Sequence, residues 1–251
     1  MSEVVKHLAI VTGAGSGLGR ALAVELVGRG VQVVGFGRRA EALAQTAALA
    51  GPGFHPQVVD VADADAVADA FARLEASVTI LINNAAVYPR RDILDETPET
   101  FMASVAVNLG GMVNCTAAAL RAMVVTGRGR IMNVSTFADI APLPASSAYA
   151  VSKGAARIYT RALVADLGDR FPGIVINDWM PGMLATQMGI AEGLDPAVAA
   201  RWGATLALWH DPSLTGSIFE MDREMLPPRS FKRRIKDRLL LRAKPVARRL
   251  T

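Results

Sequence analysis

Short apolar runs rich in Val and Ile alternate along the chain with longer segments in which apolar residues recur at helical spacing. The runs predict strands at 8–12, 31–36, 54–59, 79–82, 130–134, 174–179 and 218–221, and the longer segments predict helices near 18–29, 40–50, 63–75, 99–126, 147–170 and 196–209. Seven strands and six helices in alternation are the pattern of a doubly wound α/β fold, a seven-stranded parallel sheet with helices on both faces. Right-handed crossovers then align the carboxyl ends of the strands, and the loops after them, along one edge where a ligand sits. The pattern breaks at Leu226-Pro227-Pro228, which separates a domain over residues 1–226 from a C-terminal extension over 227–251. Within the extension Phe231, Ile235 and Leu239 recur every four residues among arginines and lysines, the spacing of a short amphipathic helix ending before Pro245.

Composition narrows the class. A chain of 251 residues, 51% of them apolar, can bury one large core. The first apolar run, 8–11, ends at once in Thr12 and Gly13 without the layout of a signal peptide, and no apolar run reaches the length of a membrane span. The lone cysteine, Cys115, excludes an internal disulfide, and His7, His55 and His210 lack metal-ligand spacing. The expectation is a cytoplasmic protein without a catalytic metal. The net charge of +4 is unevenly spread: from Arg229 onward ten Lys/Arg face only Asp237, a local charge of +9 that leaves −5 on residues 1–228. An acidic body gives no footprint for nucleic acid. For the basic extension, an anionic surface, an acidic partner, a neighbouring subunit and a merely solvated arm all remain open.

The first predicted strand runs into Thr12-Gly13-Ala14-Gly15-Ser16-Gly17-Leu18-Gly19, and the next predicted helix opens there. Glycines in such a turn let the backbone approach a pyrophosphate while the N–H groups of the helix face the anion. The spacing is Gly-x-x-x-Gly-x-Gly, which differs from the Gly-x-Gly-x-x-Gly dinucleotide fingerprint. Such a turn also occurs as plain loop geometry, the lesser reading here.

Further segments follow in a fixed order: Asn83-Asn84-Ala85-Ala86 ends the fourth predicted strand, Asn133-Val134-Ser135 the fifth, Tyr149-Ala150-Val151-Ser152-Lys153 opens the next helix, and Pro181-Gly182-Met183-Leu184-Ala185-Thr186 follows the sixth strand. Together with the glycine turn they resemble the short-chain dehydrogenase/reductase family over roughly residues 6 to 224, with Ala86 where the family usually has Gly. The resemblance implies a Rossmann-type fold, with Tyr149 as general acid/base, Lys153 as its electrostatic partner and a ribose ligand, Ser135 as donor to the substrate oxygen, and Asn108 as holder of a water in the proton path. It also implies cofactor contacts from Gly13, Ser16, Gly17, Leu18, Gly19, Asn84, Tyr149, Lys153, Pro181, Met183 and Thr186, and a homodimer or homotetramer packed through the helices at 99–126 and 147–170.

Elementary chemistry is compatible with these roles. Tyr and Lys four apart share one helical face, and an ammonium beside a phenol is expected to draw its pKa down from about 10. A serine hydroxyl aimed at a developing alkoxide adds a preorganised donor. Against this, a Tyr-x-x-x-Lys pair also serves as surface packing, and a helical Asn also serves to satisfy a nearby carbonyl.

After the second strand, where an acidic residue would hold both ribose hydroxyls, the chain reads Gly35-Phe36-Gly37-Arg38-Arg39. Arg38 is placed to pair with a 2′-phosphate, so NADP(H) is the expected cofactor, with NAD(H) left open. Asp60 and Val61 resemble the family's adenine contact, although Asp60 also suits a helix N-terminus. About nine residues, 187–195, form a short lid after Thr186. The expected lining of Val87, Tyr88, Phe137, Ile140, Leu143, Trp179 and Met183 points to an apolar carbonyl or alcohol substrate. The expected activity is NADP(H)-dependent interconversion of a carbonyl and an alcohol. The alternatives are an epimerase or dehydratase on the same scaffold, or a catalytically silent NADP(H)-binding regulator.

Overall fold

The computed structural model describes residues 7–227 and 246–251. In chain order the strands are β1 (Leu8–Thr12), β2 (Gln32–Gly37), β3 (Phe54–Val58), β4 (Ile80–Asn83), β5 (Gly129–Val134), β6 (Ile174–Met180), β7 (Ile218–Glu220) and β8 (Arg223–Glu224). The helices are α1 (Gly17–Gly28), α2 (Ala40–Ala50), α3 (Ala64–Ala72), α4 (Pro98–Val105), α5 (Gly111–Thr126), α6 (Ser147–Leu167) and α7 (Pro196–Leu208). One sheet runs β3-β2-β1-β4-β5-β6-β7-β8, and the order reverses at β1, so a crevice opens between the loops after β1 and β4.

The sheet corrects the expectation of seven parallel strands. An eighth, β8, pairs antiparallel with β7 through Phe219↔Glu224 and Glu220↔Arg223. Two residues offer no periodicity to read, and the turn into β8 is made by Met221 at φ 49°, where no glycine marks it. The long helix expected at 99–126 is also divided, because a π-helical turn at Ala106–Gly110 separates α4 from α5.

Strands β1, β4 and β6 are buried along their whole length, which explains their near-continuous apolar runs. Alternation then sorts their side chains. Ala9 and Val11 face α1 and α7 with Leu22, Leu26 and Trp179, while Leu8 and Ile10 face the other side with Cys115, Ala119 and Met123 of α5 and Leu163 of α6. The stretch Pro98–Thr126 is long and apolar enough to cross a bilayer, a correction to the expected absence of such a stretch. Met112, Cys115, Thr116, Ala119 and Met123 are nevertheless buried, which makes α5 a helix of this core. Burial pushes the Cys115 thiol up to about 12, so it is not a reactive thiolate.

Arg130, which the pattern places in an apolar strand, is 1% exposed. Its guanidinium donates to the carbonyls of Leu206, Ile131 and Val175 and to Asn177 Oδ1, joining β5 and β6 to the end of α7. Burial pushes its pKa down to about 9.

The last residues return to the body. Leu250 is 2% exposed within the core that α1 and α7 cover. Arg248 donates from Nε and Nη2 to the two carboxylate oxygens of Glu224, at 2.8 and 2.6 Å, and lies over the rings of Trp209 and Phe219. The amphipathic spacing of Phe231, Ile235 and Leu239 lies outside the described residues.

Candidate active site

The glycine turn is built by contact as much as by torsion. Gly13 (φ 69°) and Gly17 (φ 52°) take the left-handed region. A Cβ on Gly19 would be driven into the carbonyl oxygen of Gly13 and to 2.6 Å from Asn84 Nδ2. The Thr186 methyl lies 3.2 Å from where a Gly17 Cβ would stand, so the loops after β1 and β6 meet over this turn. Ser16 caps α1 in an extended conformation without a side-chain capping bond, and it is exposed. Leu18 is buried behind it. The first N–H groups of α1 are therefore left facing the crevice, which suits an anion.

Thr12 ties the crevice together. Its hydroxyl accepts from the backbone N–H of Asn84 and of Ala85, both at 2.9 Å, and Asn84 Nδ2 donates to the Thr12 carbonyl at 2.8 Å. Asn84 is thus a clamp between the first and fourth loops. Arg38 is exposed just beyond β2, and Arg39 occupies the N-cap position of α2. Asp60 Oδ1 accepts from the Ala62 N–H, whereas the acid that caps α3 is Asp63, accepting from Asp65 and Ala66. Val61 is buried against Gly111, and its carbonyl accepts from Asn114 Nδ2.

Ser135 follows β5 and donates its backbone N–H to the Trp179 carbonyl at 2.8 Å. Its Oγ is buried with no hydrogen-bond partner among the described residues. Such an orphan costs about 1–3 kcal/mol, and a ligand oxygen would relieve it. Lys153, 5% exposed, donates from Nζ to the Val134 carbonyl at 2.9 Å. Burial pushes its pKa down to about 8, opposed by the Asp178 carboxylate.

Tyr149, one turn before Lys153 on α6, stacks on Tyr88 with ring centroids 4.6 Å apart and planes 20° apart. Burial holds its phenol above the ordinary range, a hydrogen bond with the Thr136 side chain pulls the other way, and Tyr88 adds to the rise. This reverses the expectation that Lys153 draws Tyr149 down. Desolvation dominates, and the ammonium is engaged with the Val134 carbonyl.

Asn108 sits in the π-helical turn. Its Oδ1 accepts from the Val87 N–H at 2.7 Å, and Nδ2 donates to the Val87 carbonyl at 3.0 Å and to Ser152 Oγ at 2.9 Å. Its side chain therefore fastens the fourth loop to α6, the carbonyl-satisfying role that a helical Asn also serves. Pro181 is buried while Met183 is exposed at the mouth. Trp179 is a correction to the expected lining: it is fully buried, with Nε1 donating to the Met221 carbonyl. Phe137, Ile140, Leu143 and Met183 are exposed.

Sequence reasoning missed Asp178, which is 3% exposed and accepts from Thr160 Oγ1 at 2.8 Å. Burial pushes its pKa up to about 6, against the pull of Thr160, Arg157 and Lys153. It ends a buried polar chain in which Asn83 donates to Asn133, and Asn133 to Thr160. An acidic residue inside a strand flanked by apolar residues on both sides of Asn177-Asp178 was the available signal.

An uncapped helix start beside a cradle with no room for Cβ atoms, and an orphaned serine hydroxyl at the end of β5, fit a dinucleotide cofactor. Comparison with known proteins agrees with this. The family model described as short chain dehydrogenase matches residues 7–196. Galactitol 2-dehydrogenase (L-tagatose-forming) of Cereibacter sphaeroides is 36% identical over 77% of this chain and 78% of its own. Carbonyl reductase (NADPH) 2 of Sus scrofa is 34% identical over 77% of this chain and 78% of its own. The solved structure of a protein described as an NAD(P)-dependent gluconate 5-dehydrogenase of Beutenbergia cavernae, with NADP bound at low occupancy, superposes with a TM-score of 0.78 at 26% identity, covering 88% of this chain and 96% of that one. The chain belongs to the short-chain dehydrogenase/reductase family and is an oxidoreductase of the class that acts on CH–OH donors.

Proposed function

We propose that the protein interconverts a carbonyl and an alcohol with NADP(H), Tyr149 exchanging the proton. The observation that carries this reading is the orphaned Ser135 Oγ, buried at the end of β5 next to the carbonyl that Lys153 binds. The nicotinamide, when bound, supplies or accepts the hydride. The N–H groups at Ser16, Gly17, Leu18 and Gly19 would hold the pyrophosphate, Arg38 would pair with the 2′-phosphate, and Asp60 and Val61 would contact the adenine. Asn84, Pro181, Met183 and Thr186 would hold the nicotinamide half.

In reduction, Ser135 Oγ donates a hydrogen bond to the substrate oxygen and the Tyr149 hydroxyl gives it a proton. A phenol held above its ordinary range is protonated at neutral pH, which is the form a proton donor needs. The exposed Phe137, Ile140, Leu143 and Met183 favour a substrate with an apolar body. Relatives named as a galactitol dehydrogenase and as an NADPH-dependent carbonyl reductase support a carbonyl–alcohol interconversion.

The test is to follow NADPH and NADH absorbance separately against a panel of ketones, aldehydes and alcohols. Turnover of at least one ketone with NADPH preferred is expected. Binding of NADPH with no turnover across the panel would instead support the silent binder.

A further inference from the structure

The loop after β4 carries Tyr88 and Arg90, which the cofactor and proton-transfer assignments leave unused. Arg90 adopts φ 52°, a left-handed conformation that a non-glycine residue rarely takes. Its guanidinium lies 5.3 Å from the centroid of the Tyr88 ring. From the same group Nη2 donates to the carbonyls of Met188 at 3.1 Å and Gly189 at 2.8 Å, both in the lid. Tyr88 in turn stacks on Tyr149.

The lid is a folded unit and offers Arg90 a fixed partner. Leu194 donates its N–H to Met183 and Ala185 donates to Leu194, both at 2.8 Å, while Gly189 donates to Thr186. Gly189 and Gly193 approach the Leu184 backbone so closely that a Cβ on either would collide with it. The carbonyls that receive Arg90 are thereby held in place.

We infer that Tyr88 is a positioning residue for Tyr149, and that Arg90 holds it there by clamping its ring to the carbonyls of the lid. This rests on the reading of Tyr149 as the proton-transfer residue. Tyr149 lies in the first turn of α6, where fewer helical neighbours restrain its ring. A stacked ring supplies that restraint and covers one face of the phenol ring. The cation above Tyr88 makes the three-layer stack sensitive to lid position. Lid placement and phenol orientation are then one event.

The chain contains three tyrosines, Tyr88, Tyr149 and Tyr159, so ring-labelled tyrosine NMR of the full-length protein yields few signals, assigned by Tyr→Phe variants. A ring stacked at this distance shifts the Tyr149 signal upfield. Tyr88→Leu is expected to return that signal toward its free position, and Arg90→Met to move it part of the way, with Tyr88→Phe leaving it in place. With the ketone of highest kcat/KM from the panel above, Tyr88→Leu should lower kcat roughly three- to tenfold, the range of one aromatic pair, while Tyr88→Phe keeps it. Arg90→Met should raise KM more than it lowers kcat.

A Tyr149 signal unmoved by Tyr88→Leu, or unmoved by Arg90→Met, would overturn the inference; if Tyr88→Leu does not fold, the Arg90→Met comparison decides. Failure of the proton-transfer reading is recognised separately, by wild-type turnover in Tyr149→Phe, because the NMR shifts do not depend on turnover.

Discussion

Lys153 Nζ donates to the carbonyl oxygen of Val134 at 2.9 Å, and that carbonyl belongs to the peptide bond leading into Ser135. One hydrogen bond therefore locks the start of α6 to the end of β5, beside the residue whose hydroxyl is orphaned.

The lock has a pH signature. Burial lowers the Lys153 pKa from 10.5 to about 8, so the ammonium is lost as pH rises past 8. In the reduction direction kcat/KM should fall above about pH 8, measured as a pH–rate profile at saturating NADPH. Stability should not fall for the same reason. Between about 8 and 10.5 the unfolded chain binds more protons at this group than the folded one, so its contribution to stability rises with pH. A profile flat to pH 10 would contradict the assignment.

Asp178 has the opposite sign. Its pKa rises from 3.8 to about 6 on folding, so its contribution to stability is full below the unfolded value and is lost as pH rises through 6. Asp178→Asn removes the cost of burying the ionised form, which is on the order of 3 kcal/mol for a shift of this size. The melting temperature of the variant relative to wild type should therefore climb between pH 4 and pH 7. A difference independent of pH would show that the carboxylate is already balanced by Lys153 and Arg157.

In the proposed reading Arg38 sets cofactor choice. Arg38→Ala should weaken NADPH binding by about 1–3 kcal/mol, the range of a hydrogen bond to a charged group, and leave NADH nearly unchanged, read by fluorescence titration with each nucleotide. Equal weakening of both would remove Arg38 from the phosphate role.

The C-terminal residues hold the sheet edge. Leu250→Ala should lower stability by roughly 2–5 kcal/mol, as for a buried leucine truncated in a core, measured by denaturant unfolding. A loss near zero would mean that Val246–Thr251 is not docked in solution. A truncation after Met225 removes this core contact together with the basic charges, so it does not isolate the charge.

Much of the architecture was legible because parallel strands buried on both faces leave continuous Val/Ile runs, as in β1 and β6, and because glycines mark the turn at Gly13 and Gly17. What was illegible has physical reasons. Strand β8 is two residues long, and its turn uses Met221 at a positive φ instead of glycine. The π-helical turn around Asn108 preserves an apolar helical pattern while altering its hydrogen bonding. Trp179 sits at a strand end, where lining and core residues look alike in sequence. The direction of the Tyr149 shift depends on burial and on a stacking partner sixty-one positions away. The docking of Leu250 was hidden behind a run of basic residues that reads as a solvated arm.

The most direct test of the account is turnover and NADPH binding in Tyr149→Phe, which keeps the ring stacked on Tyr88 and removes only the hydroxyl. Loss of at least about a hundredfold in kcat, the scale of a removed general acid, with NADPH affinity essentially retained, is the predicted result. Turnover close to that of the wild-type protein would contradict it.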